Sequence, residues 1–165
     1  MNIALSLDRA RRLTVFYYPP VKNTVMENSN FVRLVHTDAH MALNSAFIEI
    51  PLQGVTVDRH FNRARYLFSP GSNRGVIDSV RDLEESLLDG AGCPWASKQL
   101  RVSDQLASGA LRVFTDGRDG SQGHAKVFLL KISGIWVTDR DKGLTYKFSE
   151  GKNVAMQRYH PSVEK

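Results

Sequence analysis

The sequence has a single cysteine, Cys93, so the chain cannot form an internal disulfide, and a reducing compartment would suit it. Its longest apolar runs are far too short to cross a membrane. The arginines near its start follow the apolar residues, which is the reverse of the order in a secretory signal peptide. Internal repeats and heptads are also missing. These absences predict a soluble, intracellular protein that makes no membrane contact.

Recognisable catalytic and metal-binding motifs are missing too. His36 and His40 are four residues apart, which on a helix would place both imidazoles on one face, but no glutamate follows the first histidine as a metalloprotease requires. Two surface histidines in a loop are the favoured interpretation. The glycine-containing loops lack the lysine and hydroxyl residue of a phosphate-binding loop. The sequence therefore predicts no catalysis, no metal and no cofactor.

Length and charge set the first positive limits. The 165 residues, 42% of them hydrophobic, suit one domain that buries roughly 70% of its unfolded surface. Lys and Arg number 22 against 17 Asp and Glu, a net charge of +5. An excess of positive charge favours polyanionic partners such as nucleic acid, although it is also compatible with an ordinary solvated surface.

The clearest strand chemistry lies in residues 126–148. Apolar and β-branched side chains dominate 127–137, which predicts a central strand with both faces buried for part of its length. Gly134 inside this run predicts a bulge or the close approach of another backbone. A turn over 138–143 then leads to a return strand at 144–148, whose alternating pattern is typical of a half-buried strand.

The rest of the chain reads as short strands around one helix. Strands are predicted at 3–7, 13–18, 31–35, 46–52, 61–68 and 110–115. An apolar stripe at helical spacing predicts a helix over 76–89 that packs on the sheet, with Glu84 among the charged residues of its outer face. We expect a mainly β fold with one main α-helix, as a small antiparallel barrel or strongly bent sheet. One domain should span 1–148, followed by a polar, basic tail at 149–165.

Cations and aromatics are interleaved on several of these segments. Single strands of nucleic acid are held by basic side chains that follow the backbone and by aromatic faces on which bases stack. Strict alternation over 61–68 places Phe61, Arg63 and Arg65 on one face and Ala64, Tyr66 and Phe68 on the core face. The candidate nucleic-acid-binding residues are Arg11, Arg12, Tyr17, Arg59, Phe61, Arg63, Arg65, Lys98 and Arg101. Each aromatic among the candidates has the alternative role of filling the core.

A resemblance rests on the order of three segments. FNRARYLF precedes the amphipathic helix, which is followed by PWASKQLRVSDQLASGALRVF and then by KISGIWVTDRDKGLTYKF. This succession, about two-thirds of the chain, is similar to small single-stranded DNA-binding proteins of large DNA viruses. The resemblance implies an OB-like barrel and a role in viral-type DNA replication, recombination or repair, with DNA favoured over RNA.

Two functions from different classes follow. The first is sequence-tolerant binding of single-stranded nucleic acid through the face that carries Arg63 and Arg65. The second is a virion structural or assembly protein whose basic surface contacts other proteins or a packaged genome. Either could act as a homo-oligomer or with a replication or virion protein.

Overall fold

The structure is a computed structural model that describes residues 3–114 and 125–151. Over these residues the strands are β1 Ala4–Ser6, β2 Thr14–Tyr17, β3 Val21–Lys22, β4 Asn30–Thr37, β5 Ala42–Leu43, β6 Ala46–Gln53, β7 Thr56–His60, β8 Arg63–Leu67, β9 Ser97–Gln99, β10 Ala110–Phe114, β11 Ala125–Val137 and β12 Asp141–Glu150. The helices are α1 Leu7–Arg12, α2 Arg74–Gly90 and α3 Arg101–Ala107. The predicted mainly β fold with one main helix is confirmed.

Strand β11 lies at the centre of the larger sheet, as predicted. It pairs antiparallel with β12 along one edge. Its other edge is shared, because β6 pairs with the stretch up to Ile132 and β4 pairs with the stretch from Gly134 to Val137. Phe128, Leu130 and Ile132 are buried. The strand therefore joins two groups of strands that have no ladder with each other.

Gly134 marks the point where β11 changes partner. The register with β12 shifts between Ile132 and Gly134, which is the predicted bulge. A Cβ on Gly134 would overlap the Phe31 ring and the Val32 carbonyl oxygen of β4. A second close approach lies nearby, where the Trp136 indole packs over the backbone of Gly143 in β12. The aromatic side chains of this region thus rest on glycines of neighbouring strands.

Most pairings are antiparallel, as expected for a mainly antiparallel fold, but the larger sheet also contains parallel pairings that the sequence did not predict. β1 pairs parallel with β6, and β9 pairs parallel with β12. The predicted barrel is also not found: the described strands form a larger sheet and a separate sheet of β7, β8 and β10. The strands do not close into a barrel because the two sheets contact each other through side chains and not through strand pairing. Tyr66 packs against Phe128 at a ring-centroid distance of 4.9 Å.

The three-stranded sheet is antiparallel, with β8 between β7 and β10. Its inner face carries Ala64, Tyr66 and Leu111, which are buried in the same core as the larger sheet. The side chains of Phe68 and Val113 belong to that core as well. The core-facing residues of 61–68 are therefore those that alternation predicted, and Arg63, Arg65 and Leu67 lie on the outer face.

Helix α2 is longer than predicted and buries one residue assigned to its outer face. Its apolar stripe, including Val80 and Leu87, enters the core as expected. Glu84, however, is only 1% exposed. Its two carboxylate oxygens accept the backbone N–H groups of Val102 and Ser103, at 3.0 and 2.9 Å. Because these donors are in the first turn of α3 and have no partner within that helix, Glu84 fixes α3 to α2.

Burial disfavours the charged form of the Glu84 carboxylate. It raises the pKa of Glu84 above its ordinary value, even though the hydrogen bonds from Ser103 and Val102 act in the opposite direction. The hydroxyl of Tyr146, which donates to the Gln105 side chain at 2.8 Å, ties α3 to β12. The hydrogen bonds of Glu84 and Tyr146 together hold α3 between α2 and the larger sheet.

His36 is not the surface loop residue that was favoured from the sequence. It lies in β4, opposite Val15 of β2 and Leu43 of β5, and it is fully buried. Neither ring nitrogen has a hydrogen-bond partner among the described residues. Burial lowers the pKa of His36, because the charged imidazolium is poorly solvated there. His40 is exposed in the turn after β4, so the pair does not form a helical metal site.

Three further segments differ from the prediction. Residues 8–12, expected as a connection, form most of α1, whose N-cap Ser6 accepts the N–H of Arg9. Strand β7 was not predicted, because its exposed residues show no apolar alternation. β12 continues to Glu150, so residues 149 and 150 of the predicted tail are strand residues, and 152–165 lie outside the described residues.

Substitution of Glu84 tests its role as the anchor of α3. Glu84→Ala leaves two buried N–H groups without an acceptor, and we expect it to lower the free energy of unfolding by about 2–4 kcal/mol. Urea denaturation measures this change. Asp78→Ala, on the exposed side of α2, is the control and should change stability by less than about 0.5 kcal/mol. Equal effects of the two variants would contradict the anchor.

His36 predicts a pH dependence of stability. Its pKa is lowered in the folded state, so the unfolded chain takes up a proton first, and stability should fall as the pH drops below about 6.5. His36→Leu removes this titration, so its melting temperature should change less than that of the wild type between pH 7 and pH 5. His40→Gln should keep the wild-type dependence. Asp38, whose pKa is lowered by hydrogen bonds led by that of the His40 N–H, titrates below this window.

Candidate nucleic-acid interface

The outer face of the three-stranded sheet carries three arginines. Arg63 and Arg65 project from β8, the middle strand, because Ala64 and Tyr66 between and beyond them face the core. Strand geometry separates the two positions by about 6.8 Å along β8. Both side chains are exposed. The alternation that predicted this face is confirmed, and the face is the starting point for a binding surface.

Arg112 completes this face and was missed by the sequence reasoning. Its position in β10 is directly opposite Arg65, and Asp58 of β7 is opposite Arg65 on the other side. The signal was present, since Leu111 and Val113 are apolar neighbours that alternation sends to the core. We call Arg63, Arg65 and Arg112 the arginine face. Like charges at directly opposite strand positions lower the stability of a sheet, so the Arg65–Arg112 pair is unfavourable while the Asp58–Arg65 pair is favourable.

Phe61 occupies the turn at the end of the β7–β8 hairpin. His60 and Arg63 pair, which leaves Phe61 and Asn62 as a two-residue connection. Phe61 has φ +52°, a left-handed conformation that costs a bulky residue about 1–3 kcal/mol. Its side chain is fully exposed. The ring therefore contributes no burial that would offset the strain of its backbone.

Arg59 lies on the opposite face of the same hairpin. It pairs with Ala64, whose side chain points to the core, while Arg59 itself is exposed near the end of β7. The positive charge of Arg59 affects the pKa of the buried Tyr66. Burial raises the pKa of Tyr66 to about 12 with help from Glu150, and the nearby Arg59 acts in the opposite direction. The hairpin thus presents cations on both of its faces.

The remaining predicted residues lie on other elements. Arg11 and Arg12 are exposed on α1, and Arg11 forms an ion pair with Asp82 of α2 at 3.3 Å. Lys98 of β9 forms an ion pair with Asp89 at 2.9 Å, and that hydrogen bond raises the pKa of Lys98. No contact between these side chains and the arginine face is seen in the described part of the chain.

Two of the predicted residues have structural roles. The Tyr17 hydroxyl donates to the Leu87 carbonyl oxygen at 3.0 Å, and its ring packs against Gly90 at the end of α2. Burial raises the pKa of Tyr17. The Arg101 guanidinium stacks over the Trp136 ring, 4.9 Å from its centroid. Tyr17 therefore holds β2 against α2, with its side chain partly buried.

The structure contains one groove worth comparing with this face. It has a volume of about 430 Å³ and lies between α1, β6, α2 and the start of β11. Its two ionisable lining residues, Asp8 and Glu49, are both acidic. Acidic side chains repel phosphate groups, so this groove lacks the positive charge of the arginine face.

The described residues show neither a cluster of metal ligands nor a membrane-spanning helix. No three His, Cys, Asp or Glu side chains come together as metal ligands within 3–114 and 125–151. In that same part of the chain, no helix has the length and apolarity needed to cross a bilayer.

Comparisons with known proteins do not assign the chain to a family. No protein-family model, curated protein or solved structure matches the chain.

The arginine face predicts a gain of stability when one cation is removed. Arg112→Thr abolishes the repulsion with Arg65 and places a good strand former in β10, so the melting temperature should rise by about 1–3 °C. Because salt screens the repulsion, the gain should shrink as salt is raised. Thermal unfolding at low and high salt measures both effects. A lower melting temperature in Arg112→Thr would show that Arg112 stabilises the sheet.

Proposed function

We propose that the protein binds single-stranded nucleic acid without sequence preference and without catalysis, through the arginine face and Phe61. The observation that carries this proposal is the placement of three arginines on one outer face, beside a fully exposed aromatic ring at the hairpin tip. Guanidinium groups contact phosphates, and an exposed ring offers a surface on which a base can stack. Neither group is required by the core on which the hairpin rests.

Charge placement supports the proposal better than net charge does. On the arginine face the strand register places one carboxylate, Asp58, among three guanidinium groups, and Asp58 is also 3.4 Å from His60. The local excess of positive charge is what a polyanion would find first.

The kind of nucleic acid is part of the proposal. The resemblance of the three segments to viral single-stranded DNA-binding proteins favours DNA over RNA. Exposed arginines on the outer face of a three-stranded sheet suit backbone contacts that tolerate any sequence. We therefore expect oligothymidylate to bind at least as tightly as oligouridylate at the same salt concentration.

A salt titration tests the proposal. Fluorescence anisotropy of a labelled oligothymidylate at several salt concentrations should give a linear fall of log K with log salt. Arg63→Ala/Arg65→Ala should weaken binding and reduce the magnitude of the slope by about 1.4, since each phosphate contact contributes about 0.7 for single strands. Thermal stability should be nearly unchanged, because both side chains are exposed.

The control removes the same charge from another surface. Arg74→Ala/Arg81→Ala takes two exposed arginines from α2, and it should leave the slope within error of the wild type. If the α2 variant and the β8 variant lose the same slope, binding depends on net charge and not on the arginine face. If the wild type does not bind at low salt, the proposed function is wrong.

A second candidate function is a structural or assembly protein, and one observation favours it. Phe16, Tyr18 and Val21, on and beside the short strands β2 and β3, are each more than half exposed. Exposed apolar side chains close together are typical of a protein interface. An apolar interface responds weakly to salt, whereas phosphate binding responds strongly, so the same titration separates the two functions.

A further inference from the structure

The β7–β8 hairpin ends in a tip that stands out from the body of the protein. Every residue from 58 to 63 is exposed, although the hairpin's inner-face residues Ala64 and Tyr66 are buried. A strand pair packed on a core would bury alternate residues up to its turn. Ala64, opposite Arg59, is still buried, so the ribbon leaves the core between this pair and the turn, with Arg59 at the edge of the core.

The charge of this tip is arranged on both sides. Arg59 lies on the inner-face side of the ribbon, while Arg63 and Arg65 lie on the outer-face side. A binding surface for one strand of nucleic acid needs cations on one face alone. Cations on both faces suit a ribbon that stands between two phosphate backbones.

The residue at the point of the ribbon is an aromatic ring. Phe61 adopts φ +52°, where glycine or asparagine would fit without strain, and its ring has no core contact. Asn62 is the next residue and would suit that conformation better. The sequence places the bulky, apolar side chain at the strained position, and nothing in the packing of the protein requires it there.

We propose that the tip is a wedge for the junction between double-stranded and single-stranded nucleic acid. Phe61 stacks on the last base pair, as apolar side chains do when they enter a base step. Arg59 on one face and Arg63 with Arg65 on the other contact the phosphates of the two diverging strands. This inference rests on the proposed function, and it names the form of nucleic acid that the same site prefers.

Three labelled DNA probes of equal nucleotide number test the wedge: oligothymidylate, a blunt duplex, and a forked duplex with two non-complementary tails. Anisotropy titrations with the full chain at one salt concentration should show the fork bound about tenfold more tightly than either other probe, the size of one base-stacking contact. A 2-aminopurine at the first unpaired position of the fork should brighten on binding, because Phe61 takes its place on the last base pair and so removes its stacking.

Substitutions at the tip should remove this preference specifically. Phe61→Gly should reduce the fork preference to less than about twofold and abolish the 2-aminopurine signal, with a melting temperature equal to or above that of the wild type. Phe61→Tyr keeps an aromatic ring and should retain both effects. Phe16→Ala, which removes another exposed phenylalanine, should match the wild type.

The outcomes separate this inference from the function on which it rests. If the wild type binds oligothymidylate with the expected salt slope but prefers no fork, the wedge is wrong and single-strand binding stands. A fork preference that survives in Phe61→Gly also overturns the wedge. If no probe binds, the proposed function fails, and the wedge fails with it.

Discussion

The bulge at Gly134 is the constraint on which the arrangement of the larger sheet depends. β11 is long enough to pair with two strands on one edge, and its register with β12 on the other edge shifts between Ile132 and Gly134, where the partner changes from β6 to β4. The missing Cβ at Gly134 allows the Phe31 ring and the Val32 carbonyl oxygen of β4 to approach. A side chain there would separate β4 from β11, and with β4 the strands β2, β3 and β5 that pair with it. The two halves of the sheet meet at this glycine.

From that sheet, the position of the arginine face follows by layers. One hydrophobic core contains side chains from β6, β11 and β12 on one side and from α2, α3, β8 and β10 on the other. Tyr66 against Phe128 fixes the small sheet over the middle of the larger one. Because β8 must direct Ala64 and Tyr66 inward, it must direct Arg63 and Arg65 outward. The arginine face is thus a consequence of how the core is filled.

The sequence predicted what depends on local pattern and missed what depends on distant partners. Period-two alternation correctly divided residues 63–68 between core and surface, and Gly134 was recognised as a bulge from its place in an apolar run. Glu84 was assigned to the surface because a charged residue on an amphipathic helix normally lies there. The nearest N–H group of α3 that donates to the Glu84 carboxylate, that of Val102, is eighteen residues away in the chain. The parallel pairings of β1 and β9 have no local signal, and β7 has too few apolar residues to show one.

The hairpin departs from the local rules that the rest of the chain follows. Arg65 of the hairpin lies opposite Arg112 of β10 as well as opposite Asp58, the turn holds a phenylalanine at positive φ, and the side chains at the tip are exposed. Each choice lowers stability, and the substitution that would relieve it is chemically simple. A surface shaped by stability or solubility alone would interleave charges and place asparagine or glycine in the turn. Contact with a polyanion that stacks on aromatic rings would account for these departures together, which is why the proposed function rests on this hairpin and not on the overall charge of the protein.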